Sequence, residues 1–134
     1  MSDANKELTR QFYLRLSAAD LGVVDELVSD DFVEHEEIPG LEPTKAGARQ
    51  MFEMFQGAFD HPKFNVEDII AEGDKVSVRL RLTGTHHGEF MGIPATGRAI
   101  NVGICDSFRI GNGTILEHWG VMDTAALMQQ LTAS

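Results

Sequence analysis

The order of periodicities predicts an α+β domain, with helices packed on one face of a mostly antiparallel sheet. Helix-spaced apolar residues dominate as far as Pro62, and alternating apolar and polar residues follow. The chain's 134 residues, 43% hydrophobic and 24% charged, suffice for one core that buries roughly two-thirds of the unfolded surface. With no linker, repeat or low-complexity run, residues 1–134 read as a single domain.

Along Asn5 to Leu16, the residues Leu8, Phe12 and Leu16 recur every fourth position and share one helical face. Asp20 is placed to cap a short second helix carrying Leu21, Val24, Leu27 and Val28, after which Phe32-Val33-Glu34-His35 reads as a brief strand. A Pro/Gly loop, Ile38 to Pro43, leads to Thr44, the N-cap of a third helix whose stripe is Ala48, Met51, Phe52, Phe55 and Phe59. Val66 to Ala71 and Val76 to Thr83 flank the turn Glu72-Gly73-Asp74-Lys75 and form a hairpin with one wet and one dry face. A second hairpin pairs Ile100 to Ile110 with Ile115 to Val121 across Gly111-Asn112-Gly113. Asp123 or Thr124 caps a last helix holding Leu127, Met128 and Leu131. A strongly bent sheet with helices on its concave side would enclose a pocket; periodicity alone fits a flat two-layer sandwich equally well.

The formal charge of -10 repels phosphate backbones and anionic lipid, so neither nucleic acid nor membrane is expected as a partner. Charged residues interrupt Met1 to Leu21, leaving no apolar export segment, and a cytoplasmic location is expected. Cys105 is the single cysteine, so it has no intrachain disulfide partner and reads as a small buried hydrophobe rather than a nucleophile.

The chemically informative feature is a pair of polar side chains on the dry face. Asp106 shares that face with Ile100, Val102, Ile104, Phe108 and Ile110, and a desolvated carboxylate there would have a raised pKa suited to proton transfer. On the next strand His118 lies among Leu116, Gly120 and Met122, and a histidine opposite a buried carboxylate is a workable acid/base pair. His35 is a third candidate at the pocket rim, and its neighbours Glu34, Glu36 and Glu37 read as a solvated acidic run. The structural alternative is that Asp106 and His118 satisfy each other or the backbone and do no chemistry. The five histidines carry no metal-ligand spacing, since His86 and His87 are adjacent and diverge on an extended chain, so no metal is expected. Walker, dinucleotide-binding and GxSxG motifs are missing as well, and no cofactor is expected.

The stretch His87-Gly88-Glu89-Phe90-Met91-Gly92-Ile93-Pro94-Ala95-Thr96-Gly97-Arg98 resembles the HxGxFxGxPxTGR segment of SnoaL-like polyketide cyclases and predicted ester cyclases, in the nuclear transport factor 2-like superfamily. Asp30-Asp31-Phe32-Val33-Glu34-His35, Gly113-Thr114-Ile115-Leu116-Glu117-His118-Trp119 and Leu127-Met128-Gln129-Gln130-Leu131 extend the likeness over nearly the whole chain. The resemblance implies a cone-shaped, cystatin-like α+β barrel, with the N-terminal helices on the concave face of a curved antiparallel sheet. It further implies intramolecular aldol closure without metal or coenzyme, and a homodimer. The outward residues Ser77, Arg79, Arg81, Thr83, Asn101, Cys105, Ser107 and Arg109, with Trp119 beside them, make a surface too mixed to argue assembly on their own. The cyclases' catalytic aspartate falls three residues before the aspartate matching Asp123, where this chain has Gly120. The strand of Asp106 is similar to that of ketosteroid isomerases, which implies His35 near the base and Asp106 near the oxyanion donor.

The combined expectation is a cofactor-independent enzyme that moves a proton on a small, largely apolar carbonyl compound, spanning isomerase, lyase and aldol-type cyclase chemistry. Its base would be His35 or His118; Asp106 would donate to the enolate oxygen or orient His118; Phe52, Phe55, His86, Ile104, Phe108 and Met122 would shape the ligand-binding wall. The alternative is a non-catalytic module of the same fold that binds an apolar molecule or serves dimerisation.

Overall fold

The computed structural model describes residues 2–132. Helices α1 (Ser2–Ser17) and α2 (Gly22–Leu27) precede strand β1 (Val28–Glu34), and α3 (Lys45–Ala58) runs directly into β2 (Phe59–Glu72). Strands β3 (Lys75–His86), β4 (Ala99–Gly111) and β5 (Thr114–Met122) follow, and α4 (Thr124–Thr132) closes the chain. The sheet has the order β1-β5-β4-β3-β2, with every pairing antiparallel except the parallel contact of β1 on β5. It is curved and remains open.

The core follows from the two periodicities. Phe12 and Leu16 of α1 and Phe52 and Phe55 of α3 meet the alternate residues Val76, Val78, Leu80 and Leu82 of β3 and Ile100, Val102, Ile104, Phe108 and Ile110 of β4, all of them buried. The local signals work as expected: Asp20 Oδ1 accepts from the Gly22 amide at 3.2 Å, and Thr44 Oγ1 from that of Gly47 at 3.3 Å. Asp123 Oδ1 accepts from the Ala126 amide at 3.0 Å, which makes Asp123 rather than Thr124 the cap of α4. In the β4–β5 turn, Asn112 and Gly113 have φ of 51° and 73°, the two positive values of a type I′ hairpin, and these are the residue types that tolerate them.

Four boundaries or placements differ from the periodicity. Phe59 leaves the α3 stripe and opens β2 opposite His86, because the strand continues through an irregularity between Asp60 and Lys63. There Pro62 cannot donate to the ladder and His61 adopts φ 49°, so the alternation is masked where the strand starts. Val28 leaves the α2 stripe and opens β1. A register shift between Arg109 and Ile110 lets both Ile115 and His118 face the core, which displaces Leu116 from the inward position expected of it. Cys105 is exposed on the outer face opposite Arg79 and Val121, as the strand alternation expects and against the burial its residue type suggests. Among the described residues, no helix is long and apolar enough to cross a membrane.

Candidate functional site

The helices and the concave face of the sheet enclose a cavity of about 550 Å³. Its wall is mostly aromatic and aliphatic, with Phe12, Phe32, Phe52, Phe55, Phe64 and Phe108 among the lining residues, and no lysine or arginine lines it among the described residues. Polar groups gather at one place, where the middle of β4 and β5 meets the end of β1.

There, the register puts Asp106 opposite Gly120 and Phe108 opposite His118. His118 Nε2 lies 2.8 Å from Asp106 Oδ1, and His118 Nδ1 lies 2.5 Å from Glu34 Oε2. The Tyr13 hydroxyl donates to the other oxygen of Asp106. Glu34 Oε2 also accepts from the Glu36 amide at 3.1 Å, so the carboxylate that holds His118 also fixes the backbone of the next inward residue. The result is a chain, Tyr13–Asp106–His118–Glu34, spanning α1, β4, β5 and β1, with His118 and Asp106 both buried.

Its charge state follows from these contacts. Burial on its own would lower the pKa of His118, but its hydrogen bonds to Asp106 and Glu34 and their negative charges outweigh it and raise the value from 6.5 to about 10. His118 is therefore an imidazolium through neutral pH, donating from both nitrogens. Burial, then the charge and hydrogen bond of Asp106, hold Tyr13 well above its ordinary pKa and keep it a neutral donor. Glu36 is raised as well, mainly by burial, with Asp106 and Glu34 adding to the shift and the positive charge of His118 opposing it.

Glu34, Glu36 and His118 each bring one donor atom within 4.8 Å of the others. An ion there would have to displace the contact between His118 Nδ1 and Glu34 Oε2 and compete with the proton on His118.

Gly120 is the hinge of the arrangement. A Cβ there would lie 2.5 Å from Asp106 Oδ1, 2.5 Å from Glu36 Oε1 and 2.6 Å from His118 Cε1. The three side chains thus converge on the space that any larger residue would take.

Asp106 and His118 point into one cavity, and Phe52, Phe55, Ile104, Phe108 and Met122 line it, as the alternation predicts. His35 does not. It lies on the opposite face, with Nε2 2.9 Å from Glu117 Oε1 and its ring stacked on Trp119 at 4.7 Å and 8°, because successive strand residues point to opposite faces and Glu34 takes the inward place. The pocket-rim placement expected of His35 is therefore corrected. His86 is also not among the cavity-lining residues. It is fully buried against Phe59, and its Nδ1 accepts from the Thr96 amide at 3.2 Å and sits 3.0 Å from the Thr96 hydroxyl, which ties down the loop that delivers Phe90 and Met91 to the cavity. Glu34 and Glu36, expected in a solvated acidic run, instead turn into the cavity, where Tyr13 of α1 joins them. Alternation from the buried Phe32 already puts Glu34 inward and His35 outward, and Tyr13 flanks the Phe12–Leu16 stripe one turn after Thr9, which is buried too.

A fold and cavity of this kind define a class, and the comparisons agree with it. The model of SnoaL-like polyketide cyclases matches residues 7–131, and the chain belongs to that family. Among solved structures it is similar to TsrD from Streptomyces laurentii, at 27% identity over 98% of this chain and 97% of that one, with a TM-score of 0.88. AclR from Streptomyces galilaeus, a proposed hydroxylase, is 28% identical over 98% and 97%, with a TM-score of 0.87. IdmH from Streptomyces antibioticus, a proposed polyketide cyclase, is 30% identical over 95% and 97%, with a TM-score of 0.83. No curated protein matches the chain.

Proposed function

We propose that the protein is an enzyme that transfers a proton on an uncharged, largely apolar carbonyl compound through an enolate. The observation that carries this reading is the hydrogen-bonded polar anchor, Tyr13–Asp106–His118–Glu34, set at one end of a mostly apolar cavity. The positive charge of His118, whose N–H groups are held by Asp106 and Glu34 and whose Cε1 edge faces the space over Gly120, is the centre against which charge developing on a carbonyl oxygen would be set. The want of a lysine or arginine among the described lining residues, beside the carboxylates of Glu34, Glu36, Glu37 and Asp106, disfavours an anionic substrate. Membership of a cyclase family supports the general chemistry. His118, already charged, is the electrostatic partner of the enolate rather than its base.

The test is uptake of solvent deuterium at the α-carbon of uncharged aryl ketones such as 2-tetralone, followed by NMR. Exchange faster than in buffer is expected. Asp106→Asn, which keeps the shape but loses the negative charge that holds His118 and Tyr13, should slow it about 10- to 1000-fold, equivalent to roughly 1.4 to 4 kcal/mol of transition-state stabilisation. Ketones that bind but never exchange faster than in buffer would favour the non-catalytic module.

A further inference from the structure

We propose that Glu36 is the base of this site, the group that removes the proton from carbon. The inference rests on the proton-transfer reading above and assigns the role that His118 and His35 do not fill.

It begins with an inventory of ionisable groups lining the cavity. Tyr13 donates its hydroxyl hydrogen bond to Asp106, and both oxygens of Asp106 are engaged, one with Tyr13 and one with His118. His118 has no free nitrogen. Glu34 Oε2 is shared between His118 and the Glu36 amide. Glu37 is exposed. Among the described residues, Glu36 is the half-buried cavity carboxylate whose oxygens make no hydrogen bond or ion pair, so it alone can turn to a substrate without dismantling the anchor.

Its position also suits the work. Glu36 Oε1 lies over Gly120, within 2.5 Å of the point where a Cβ would stand, and Asp106 Oδ1 and His118 Cε1 approach the same point. Glu36 is thus beside the groups that would face the enolate oxygen, and its backbone is pinned by Glu34. The glycine leaves the room in which the carboxylate can move.

The step balances without a co-reactant. A Glu36 oxygen takes the proton; the C–H electron pair becomes the C=C bond of the enolate, and the C=O π pair moves to oxygen, facing His118. Returning the proton from Glu36 to the same or a conjugated carbon regenerates the carboxylate and gives exchange or isomerisation. A base with a pKa above that of a free glutamate is the better match to such a weak acid near neutral pH.

The experiment is deuterium exchange into 2-tetralone by wild type, Glu36→Gln and Glu36→Asp, with thermal melts of all three. Glu36→Gln, close to isosteric, should cut the turnover rate by roughly 100-fold or more while KM and the melting midpoint stay near wild type. Glu36→Asp keeps the carboxylate one methylene short and should retain measurable exchange that rises with pH, whereas the residual rate of Glu36→Gln should lose that rising limb. Exchange by wild type that Glu36→Gln preserves within threefold overturns the assignment and leaves the proton-transfer reading standing. No exchange by wild type overturns both. A loss that tracks a lowered melting midpoint in Glu36→Gln and is not relieved in Glu36→Asp makes the residue structural and also overturns the assignment.

Discussion

Two histidine–glutamate pairs tie β1 to β5, one on each face of the sheet. Inside, His118 of β5 meets Glu34 of β1, with side chains 9% and 8% exposed. Outside, His35, just past β1, meets Glu117 of β5, with side chains 36% and 22% exposed. The two pairs are immediate neighbours, for His118 is the register partner of Glu34 and its carbonyl accepts from the His35 amide at 2.9 Å. Only the surroundings differ. The inner histidine has a second carboxylate, Asp106, and little water; the outer one has Trp119 on one side and solvent on the other, and its glutamate is shared with Arg109. The lesson is that the face of the sheet, more than the residue type, decides how far such a pair is desolvated and how many carboxylates its histidine meets.

The comparison breaks most visibly in the pH dependence of stability. His118 has a folded pKa of about 10 against 6.5 unfolded, so the stability it contributes is fully present below pH 6.5 and is lost as pH rises through 10. The size is on the order of 3 to 5 kcal/mol, since each tenfold gain in proton affinity is worth about 1.4 kcal/mol. Glu36 and Tyr13, also raised, lose their contributions with rising pH too, Glu36 from about its free value of 4.5 upward and Tyr13 above 10. On the surface the sign reverses. Glu117 is lowered by Arg109 first and His35 second, and Asp20 and Glu26 by Arg15, so their support is present above the ordinary carboxylate range and lost as pH falls below it. Those pairs are exposed and screened by salt. Urea unfolding from pH 3 to 10 should therefore show an alkaline loss that persists in 1 M NaCl and an acid loss that shrinks there. An alkaline limb that is flat between pH 6.5 and 10 would contradict the charged inner histidine.

A smaller effect sharpens the same contrast with glycine. Gly120→Ala on the inner face places a methyl group 2.5 Å from two carboxylate oxygens and 2.6 Å from His118, and the cluster must open to admit it. Gly103→Ala, outward on β4, meets only the end of the Arg81 side chain at 3.6 Å. Denaturant titration should find Gly120→Ala less stable by about 1 to 3 kcal/mol and Gly103→Ala within about 0.5 kcal/mol of wild type. Equal values for the two would mean that the inner cluster is loose enough to be no anchor.

How far this contrast was legible in the sequence depends on the element. The fold was largely written in period changes: α1, the Thr44 cap, both hairpins and the dry face carrying Asp106 need only local spacing. His118 was readable because it sits an even step from Gly120 and Met122. Glu34 and Glu36 were hidden by composition, since a run of glutamates suggests a solvated edge, although counting in twos from Phe32 places both inside. Leu116 was misplaced because a bulge is a backbone event with no strong residue signature here. His35 is expected at the pocket rim from its place on the short early strand, and the isomerase likeness adds the role of base, both against that same count. Gly120 stands where the resemblance implies a cyclase-type aspartate, but that the space fills with Glu36 from another strand's end depends on the parallel pairing of β1 with β5, which links residues far apart in sequence.

The smallest expected effect is the one that decides between the two histidines. If the inner face alone carries the chemistry, His35→Ala should leave deuterium exchange into aryl ketones within about twofold, an energy of roughly 0.4 kcal/mol. The substitution removes an exposed stacking contact on Trp119 and a screened hydrogen bond to Glu117, which keeps Arg109 as a partner, so the melting midpoint should move little. His35→Phe preserves the stack and removes the titratable group, which separates any packing effect from a chemical one. Exchange and melts measured on both variants give a clear outcome. A drop of tenfold or more in both, without a matching loss of stability, would mean that a group on the outer face reaches the reaction, and the inward assignment of the site would have to be abandoned.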